Sequence, residues 1–98
     1  MMEDKLHRDS ARGARAANLL EHELLKEAHE KIEEQLIQAW INSDPRDTEG
    51  RERVFASVHA NRKHRDYLKT VAMDGKLAQA QLRDIVEASE RKRGIFNR

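Results

Sequence analysis

The chain contains little of several residue types that usually shape a fold or a site. Its 98 residues include no cysteine, one proline, four glycines and only four aromatic residues. The absence of cysteine excludes a disulfide framework and a thiolate zinc site, and it agrees with a reducing compartment. The glycines are isolated from one another, so the sequence has no glycine-rich phosphate loop.

Long apolar stretches are also absent. No run approaches the ~20 apolar residues of a membrane-spanning helix, and the polar first residues do not resemble a signal peptide. We therefore expect a soluble cytoplasmic protein without a membrane partner. Hydrophobic and charged residues each make up 38% of the chain, so there is little apolar surface to bury. We expect long helices and self-association, rather than a globular core, to provide stability.

Patterns of catalytic and metal-binding residues are not found. The zinc-protease pattern of two histidines four apart around a glutamate does not occur. The residue three before His29 is Lys26, not the glutamate of di-iron bundles. Neither Ser57 nor Ser89 stands beside a histidine and a carboxylate. The sequence therefore predicts a non-enzyme with no catalytic, metal-binding or cofactor-binding residue.

Helical periodicity is present on both sides of one break, residues 43–47. Apolar residues recur at spacings of three and four before the break, as far as Ile41, and again after it, from Val54 to Ala72. No strand pattern occurs. The predicted fold is all-α and oligomeric: an antiparallel helical hairpin plus a shorter third helix.

The boundaries of these helices are predicted from capping signals. Asp44 before Pro45 is the expected N-cap of the second helix, with Asp47 as the alternative. Asp74 and Gly75 are expected to end that helix, and the third helix follows from the next residue. The chain divides into a polar lead-in over 1–17, a helical hairpin domain with the third helix over 18–90, and a basic tail over 91–98. The lead-in is expected to become helical only near residue 14, and the first helix is expected to run from there to about Ile41.

The apolar stripes of the two long helices are the predicted oligomer interface. A hairpin of two such arms is marginal, so other copies are expected to cover the stripes. Asn61, His64 and Arg65 interrupt the second stripe, and a single polar residue on a helical seam can fix register or oligomer state. The predicted interface consists of Leu25, Ile32, Leu36, Trp40, Val54, Val58, Asn61 and Leu68.

Charge is separated along the chain although the net charge is only +1. Residues 21–37 carry six acidic and two basic side chains, whereas residues 51–69 carry six basic and two acidic ones. This separation favours antiparallel pairing of the two arms, within a chain or between subunits. Basic clusters also bind phosphate without reading sequence. The candidate nucleic-acid-binding residues are Arg62, Lys63, Arg65, Lys69, Arg91, Lys92, Arg93 and Arg98. The apolar pair Ile95 and Phe96 is a candidate docking site for a partner.

Several segments resemble small helical proteins encoded in phage and prophage genomes. The runs that carry the resemblance begin at Arg12 (Arg-Gly-Ala-Arg-Ala-Ala-Asn-Leu-Leu-Glu), Leu24 (Leu-Leu-Lys-Glu-Ala-His-Glu), Gln38 (Gln-Ala-Trp), Asp47 (Asp-Thr-Glu-Gly-Arg-Glu-Arg) and Asp74 (Asp-Gly-Lys-Leu-Ala). Such proteins resemble components of DNA packaging or virion assembly, above all the small terminase subunit, a helical hairpin assembled into a ring. The chain lacks the N-terminal helix-turn-helix domain of that subunit, so the resemblance does not imply specific recognition of a packaging site.

The expected function is that of a non-enzymatic phage or phage-like packaging or assembly protein with a small-terminase-like role. It would self-associate through its helices and contact DNA, a packaging motor or a capsid protein. One alternative is a structural adaptor or chaperone of virion assembly that does not bind DNA. Another is a helical regulatory protein that sequesters a partner.

Overall fold

The computed structural model describes residues 2–96, and its regular secondary structure there is entirely helical. The three helices of this part are α1 (Met2–Glu21), α2 (Glu23–Ile41) and α3 (Thr48–Phe96). The all-α prediction is confirmed over these residues. The molecule measures 78 × 25 × 18 Å. At 1.5 Å per residue α3 alone spans about 73 Å, so this helix runs almost the whole length of the molecule.

Helix α1 replaces the expected polar lead-in. The prediction that the chain becomes helical only near Ala14 is wrong, because α1 begins at Met2. Glu3 and Asp4 lie in its first turn, where negative charge is favourable next to the unpaired N–H groups. Gly13 costs helix propensity, but it is buried in contact with α3, and this packing holds the helix together.

A single residue, His22, separates α1 from α2, so the prediction of one continuous first helix up to Ile41 is wrong. Its backbone is extended (φ −68°, ψ 121°), which interrupts the helical hydrogen-bond ladder. Its imidazole Nδ1 accepts a hydrogen bond from the Leu24 N–H at 3.2 Å, and its carbonyl accepts from Leu25 and Lys26. His22 therefore acts as the N-cap of α2, a role that Ser, Thr, Asp or Asn usually fills.

Helix α3 begins at the alternative cap. The Asp47 carboxylate Oδ1 accepts a hydrogen bond from the Gly50 N–H at 3.0 Å, and the helix starts at Thr48. The preferred prediction, Asp44 with Pro45 as first helical residue, is wrong. The Asp44 carboxylate instead accepts from the Arg46 N–H at 2.9 Å, within the loop that joins α2 to α3.

Helix α3 continues through the predicted stop at Asp74 and Gly75. The prediction of a separate, shorter third helix from Lys76 is wrong, because the chain remains helical to Phe96. Gly75 keeps a negative φ, so it does not form the left-handed cap that the sequence suggests. Its lack of a side chain serves close packing instead, since it lies against Gly13 of α1.

α1 and α2 lie one after the other along α3, and both run antiparallel to it. Gly13 contacts Gly75, His29 is bonded to Asn61, and Trp40 stacks with Arg51. Residue numbers thus rise along α1 and α2 as they fall along α3. No residue of α2 is buried, whereas the α1–α3 contact buries Leu6, Ala16 and Ala78.

Within residues 2–96, none of the three helices contains a stretch that is long and apolar enough to cross a bilayer.

Candidate interaction surfaces

A mainly apolar groove opens between α2 and α3 near the connecting loop; we call it the Trp40 groove. Its volume is about 230 Å³. The Trp40 side chain is 44% exposed and the Phe55 side chain 63% exposed. The Arg51 guanidinium lies 4.2 Å from the centre of the Trp40 ring, and the His59 ring meets Phe55 edge-on with centroids 4.5 Å apart. The groove is lined by Ile37, Trp40, Val54, Phe55, Val58, His59 and Arg62.

A second groove of about 540 Å³ lies on the other side of the same helix pair; we call it the Tyr67 groove. Val54, Asn61 and Leu68 recur every seven residues and form the half-buried line of α3 that faces α2. Phe55 follows the first of these residues and Tyr67 precedes the last, and one residue turns a helix by about 100°. The two aromatic rings therefore lie on opposite sides of that line. The Tyr67 groove is lined by Leu25, His29, Lys63, His64, Tyr67 and Leu68.

The structure divides the predicted interface residues into two groups. The half-buried group already packs between α2 and α3 of one chain: Leu25, Leu36, Val54, Val58, Asn61 and Leu68. Ile32 and Trp40 are exposed. The Asn61 side-chain amide donates a hydrogen bond to the His29 carbonyl at 3.0 Å, so the one polar residue of the predicted interface is bonded across the pair.

One predicted phosphate contact is already paired within the chain. The Arg62 Nε donates to the Glu33 carboxylate at 2.6 Å, which joins α3 to α2. This hydrogen bond lowers the pKa of the Glu33 carboxyl below its ordinary value, and the positive charges of Arg62 and Arg65 act in the same direction. The pKa of the Arg62 guanidinium is raised by the same bond.

The remaining basic residues do not form one patch. Arg65 and Lys69 line a groove of about 370 Å³ opposite the break at His22, whereas Lys63 lines the Tyr67 groove. The 22 residues from Lys69 to the exposed Arg91 span about 33 Å of helix. The structure therefore separates the basic residues in the middle of α3 from Arg91, Lys92 and Arg93 near its end. Arg98 and the side chains of Ile95 and Phe96 lie outside the described part of the chain.

Most of the opposed charge on α2 and α3 remains unpaired within the chain. Glu33 with Arg62 is the one ion pair that joins these two helices in the described residues. Glu23, Glu30 and Lys69 are exposed and form no ion pair there. The acidic surface of α2 and the basic surface of α3 are therefore both available to a partner.

The chain exposes more surface than a folded monomer of its mass. Its accessible area is 8280 Å². A compact monomer of 11.4 kDa is expected to expose about 5,800 Å², so the excess is about 2,500 Å². One partner contributes roughly 800 Å² to a standard protein interface. The excess is therefore about three times the area that one such interface covers.

Two features were missed by sequence reasoning. The first is the Gly13–Gly75 contact, because Gly13 was predicted to weaken the first turn of a helix and Gly75 to end one. Small residues at spacings of three on α1 (Ser10, Gly13, Ala16) are the sequence pattern that indicates close helix packing. Ile37 and Phe55 were not among the predicted interface residues. The sequence does show that each lies seven residues from a charged residue on the same side of its helix: Ile37 follows Glu30, and Phe55 precedes Arg62.

Comparisons add no relative to this picture, and the described side chains suggest no metal site. No protein-family model, curated protein or solved structure matches the chain. Among residues 2–96, no group of three or more histidine or carboxylate side chains is arranged to hold a metal ion. The arrangement offers surfaces for association.

Proposed function

We propose that this chain is a non-enzymatic assembly protein with a small-terminase-like role in phage DNA packaging. In this role it self-associates through its helices, and the assembly contacts DNA or the packaging motor. The observation that carries the proposal is the excess of about 2,500 Å² of exposed surface over a compact monomer of this mass. A chain that exposes this much surface while burying so few apolar residues, Leu6, Ala16 and Ala78, gains stability when copies cover one another.

The test of self-association is the native mass in solution, measured by light scattering on a sizing column at physiological salt. A closed assembly of several copies is the expected result. Mass equal to one chain at every concentration tested would contradict the proposal, because the excess surface would then remain uncovered.

DNA contact is supported by unpaired basic side chains on α3. In an oligomer each phosphate contact is repeated by every copy, so weak contacts add up. The expected result is binding of a labelled duplex, measured by fluorescence anisotropy, whose affinity falls as salt rises, with a log–log slope of about −0.9 per phosphate contacted. Replacing Arg91, Lys92 and Arg93 by glutamine should make this slope less steep.

A matched control for that variant is replacement of Arg8, Arg12 and Arg15 on α1 by glutamine, which removes the same charge from the other end of the sequence. If the two triple variants weaken binding equally, net charge rather than the end of α3 is responsible. In that case the assignment of a contact to residues 91–93 fails.

A second candidate function is a structural adaptor of virion assembly that does not bind DNA. The observation that favours it is the division of the basic residues, with Arg62 neutralised by Glu33 and the remaining ones at least about 33 Å from residues 91–93. Oligomerisation without any salt-dependent DNA binding would select this function over the first.

A further inference from the structure

We propose that a second copy of this chain docks on the face of the α2–α3 pair that contains the Trp40 groove. In this dimer the α2 of each copy lies over the α3 of the other. The inference rests on the self-association proposed above and names the surface and the arrangement. The carrying observation is a match between two seven-residue lines of exposed side chains.

The first line lies on α2 and consists of Glu23, Glu30 and Ile37. Residues seven apart on a helix lie on nearly the same side, and all three are exposed. Ile37 lines the Trp40 groove, and Glu30 lines the groove opposite the helix break. This line therefore begins with two negative charges and ends with an apolar residue.

The second line lies on α3 and consists of Phe55, Arg62 and Lys69, which are also exposed. Phe55 and Arg62 line the Trp40 groove, and Lys69 lines the groove opposite the helix break. This line begins with an apolar residue and ends with two positive charges. Together the two lines form one face of the helix pair, which we call the heptad face.

The two lines lie level with each other across the pair. The contacts of His29 with Asn61 and of Trp40 with Arg51 fix the antiparallel alignment. In this alignment Ile37 lies level with Phe55, and Glu30 lies level with Arg62. By the same count, Glu23 lies level with Lys69.

A two-fold axis parallel to the helices makes this face self-complementary. It places the α2 line of one copy over the α3 line of the other, so that carboxylates oppose cations and Ile37 opposes Phe55. A two-fold axis perpendicular to the helices would place α2 over α2 instead. Glu23 of one copy would then oppose Ile37 of the other, burying a charge against an apolar residue without a partner.

The available area and charge agree with this arrangement. Covering one face at roughly 800 Å² per partner uses about a third of the excess surface and leaves the Tyr67 groove free. Arg62 keeps its bond to Glu33 through Nε, and a guanidinium has four further N–H donors for a partner carboxylate. Charge opposition of this kind fixes orientation and partner choice more than it adds affinity.

The location of the interface is tested by Phe55→Glu, with Tyr67→Glu as the matched control. Their side chains are 63% and 61% exposed, so neither substitution removes a buried core residue, and circular dichroism checks that both variants stay helical. Light scattering should show a lower native mass for Phe55→Glu. An unchanged mass for Phe55→Glu in an otherwise oligomeric protein would overturn the heptad face but leave self-association standing. A monomeric wild type would overturn both.

The arrangement of the copies is tested by mixing two charge-reversed chains, Glu23→Lys and Lys69→Glu. Each variant opposes like charges in its own dimer, whereas the mixed dimer opposes unlike charges at both contacts. Native mass spectrometry with one chain isotopically labelled should find mixed dimers well above the one-half that random pairing gives. The control pair Glu27→Lys and Lys63→Glu carries the same net charges off the heptad face. Random pairing of the test chains, or equal enrichment in the control, would overturn the arrangement.

Discussion

At the crossing of α1 and α3, two glycines determine how close the helices come. A Cβ atom at Gly13 would lie 2.5 Å from the Gly75 Cα, and a Cβ at Gly75 would lie 2.5 Å from the Gly13 Cα. Both neighbours are backbone atoms, which cannot move aside as the end of a flexible side chain can. The packing of α1 against α3 therefore requires a residue without a side chain at both positions.

We expect Gly13→Ala to destabilise the protein although alanine favours helix by about 1 kcal/mol over glycine. The added methyl forces the helices apart, and overpacking of this kind costs about 1–3 kcal/mol. The measurement is urea unfolding followed by circular dichroism at fixed protein concentration. Gly94→Ala is the control, because nothing lies within 4 Å of a Cβ there, and it should be neutral or slightly stabilising. Equal behaviour of the two variants would contradict the close crossing.

The Glu33–Arg62 pair gives a prediction about pH. The bond from Arg62 lowers the pKa of the Glu33 carboxyl in the folded chain below its ordinary value of 4.5. The pair therefore contributes to stability above that value, and the contribution is lost as the pH falls through the lower folded pKa. We expect Arg62→Gln to raise the Glu33 pKa towards the ordinary value, measured by NMR titration of the side-chain carboxyl. High salt should weaken the effect because the pair is partly exposed. An unchanged Glu33 titration in the variant would show that the bond does not form.

Among the elements, α1 supports the second half of α3. Gly75 is buried against Asp9 and Gly13 of α1, and Ala78 is buried one turn further along α3. Helices in proteins are held mainly by such packing. We expect deletion of residues 2–21 to remove more helix than the 20 residues of α1 themselves, measured by circular dichroism. Truncation after Val86 is the control, since the residues beyond it extend past α1. That truncation should remove helix only in proportion to its length, and proportional loss in both variants would mean that α3 is stable without α1.

For the whole molecule, the sparse core predicts that stability depends on protein concentration. α2 buries no residue fully, so the α2–α3 half depends on association more than the α1–α3 half does. Because association stabilises the folded state by mass action, we expect Tm to rise with concentration over a hundredfold range in differential scanning calorimetry. The Phe55→Glu variant should show a smaller rise. A Tm independent of concentration would indicate a chain that is stable alone.

Local patterns in the sequence were enough to predict part of this architecture. Spacings of three and four predicted the helical segment that ends at Ile41 and the first half of α3, because an amphipathic stripe reports helical period without knowledge of the fold. Asp47 signalled the start of α3 as the alternative cap, since a carboxylate three residues before an unpaired N–H bonds it locally. The all-α class followed from these signals and from the lack of any alternating pattern.

The path of the chain at Gly13, His22 and Gly75 was decided only by tertiary packing. Gly13 and Gly75 have the local signature of a weak turn and a helix stop, and they instead form a close contact between residues 62 positions apart in the chain. Local propensity at each site amounts to about 1 kcal/mol, which the packing of two helices outweighs. His22 is not a residue type that breaks helices, yet the helix ends there. The two helices on its sides, α1 and α2, pack on different halves of α3.

The sequence by itself determined that this protein is helical, poor in core residues and divided into an acidic and a basic arm, because composition and period are properties of residues near one another in the chain. Only the tertiary structure decided which apolar and charged side chains remain uncovered. The partial burial of Leu25 and the exposure of Phe55 both depend on which helix lies alongside and in which register. Register between distant segments is a property of the packed pair, and single-helix periodicity does not contain it.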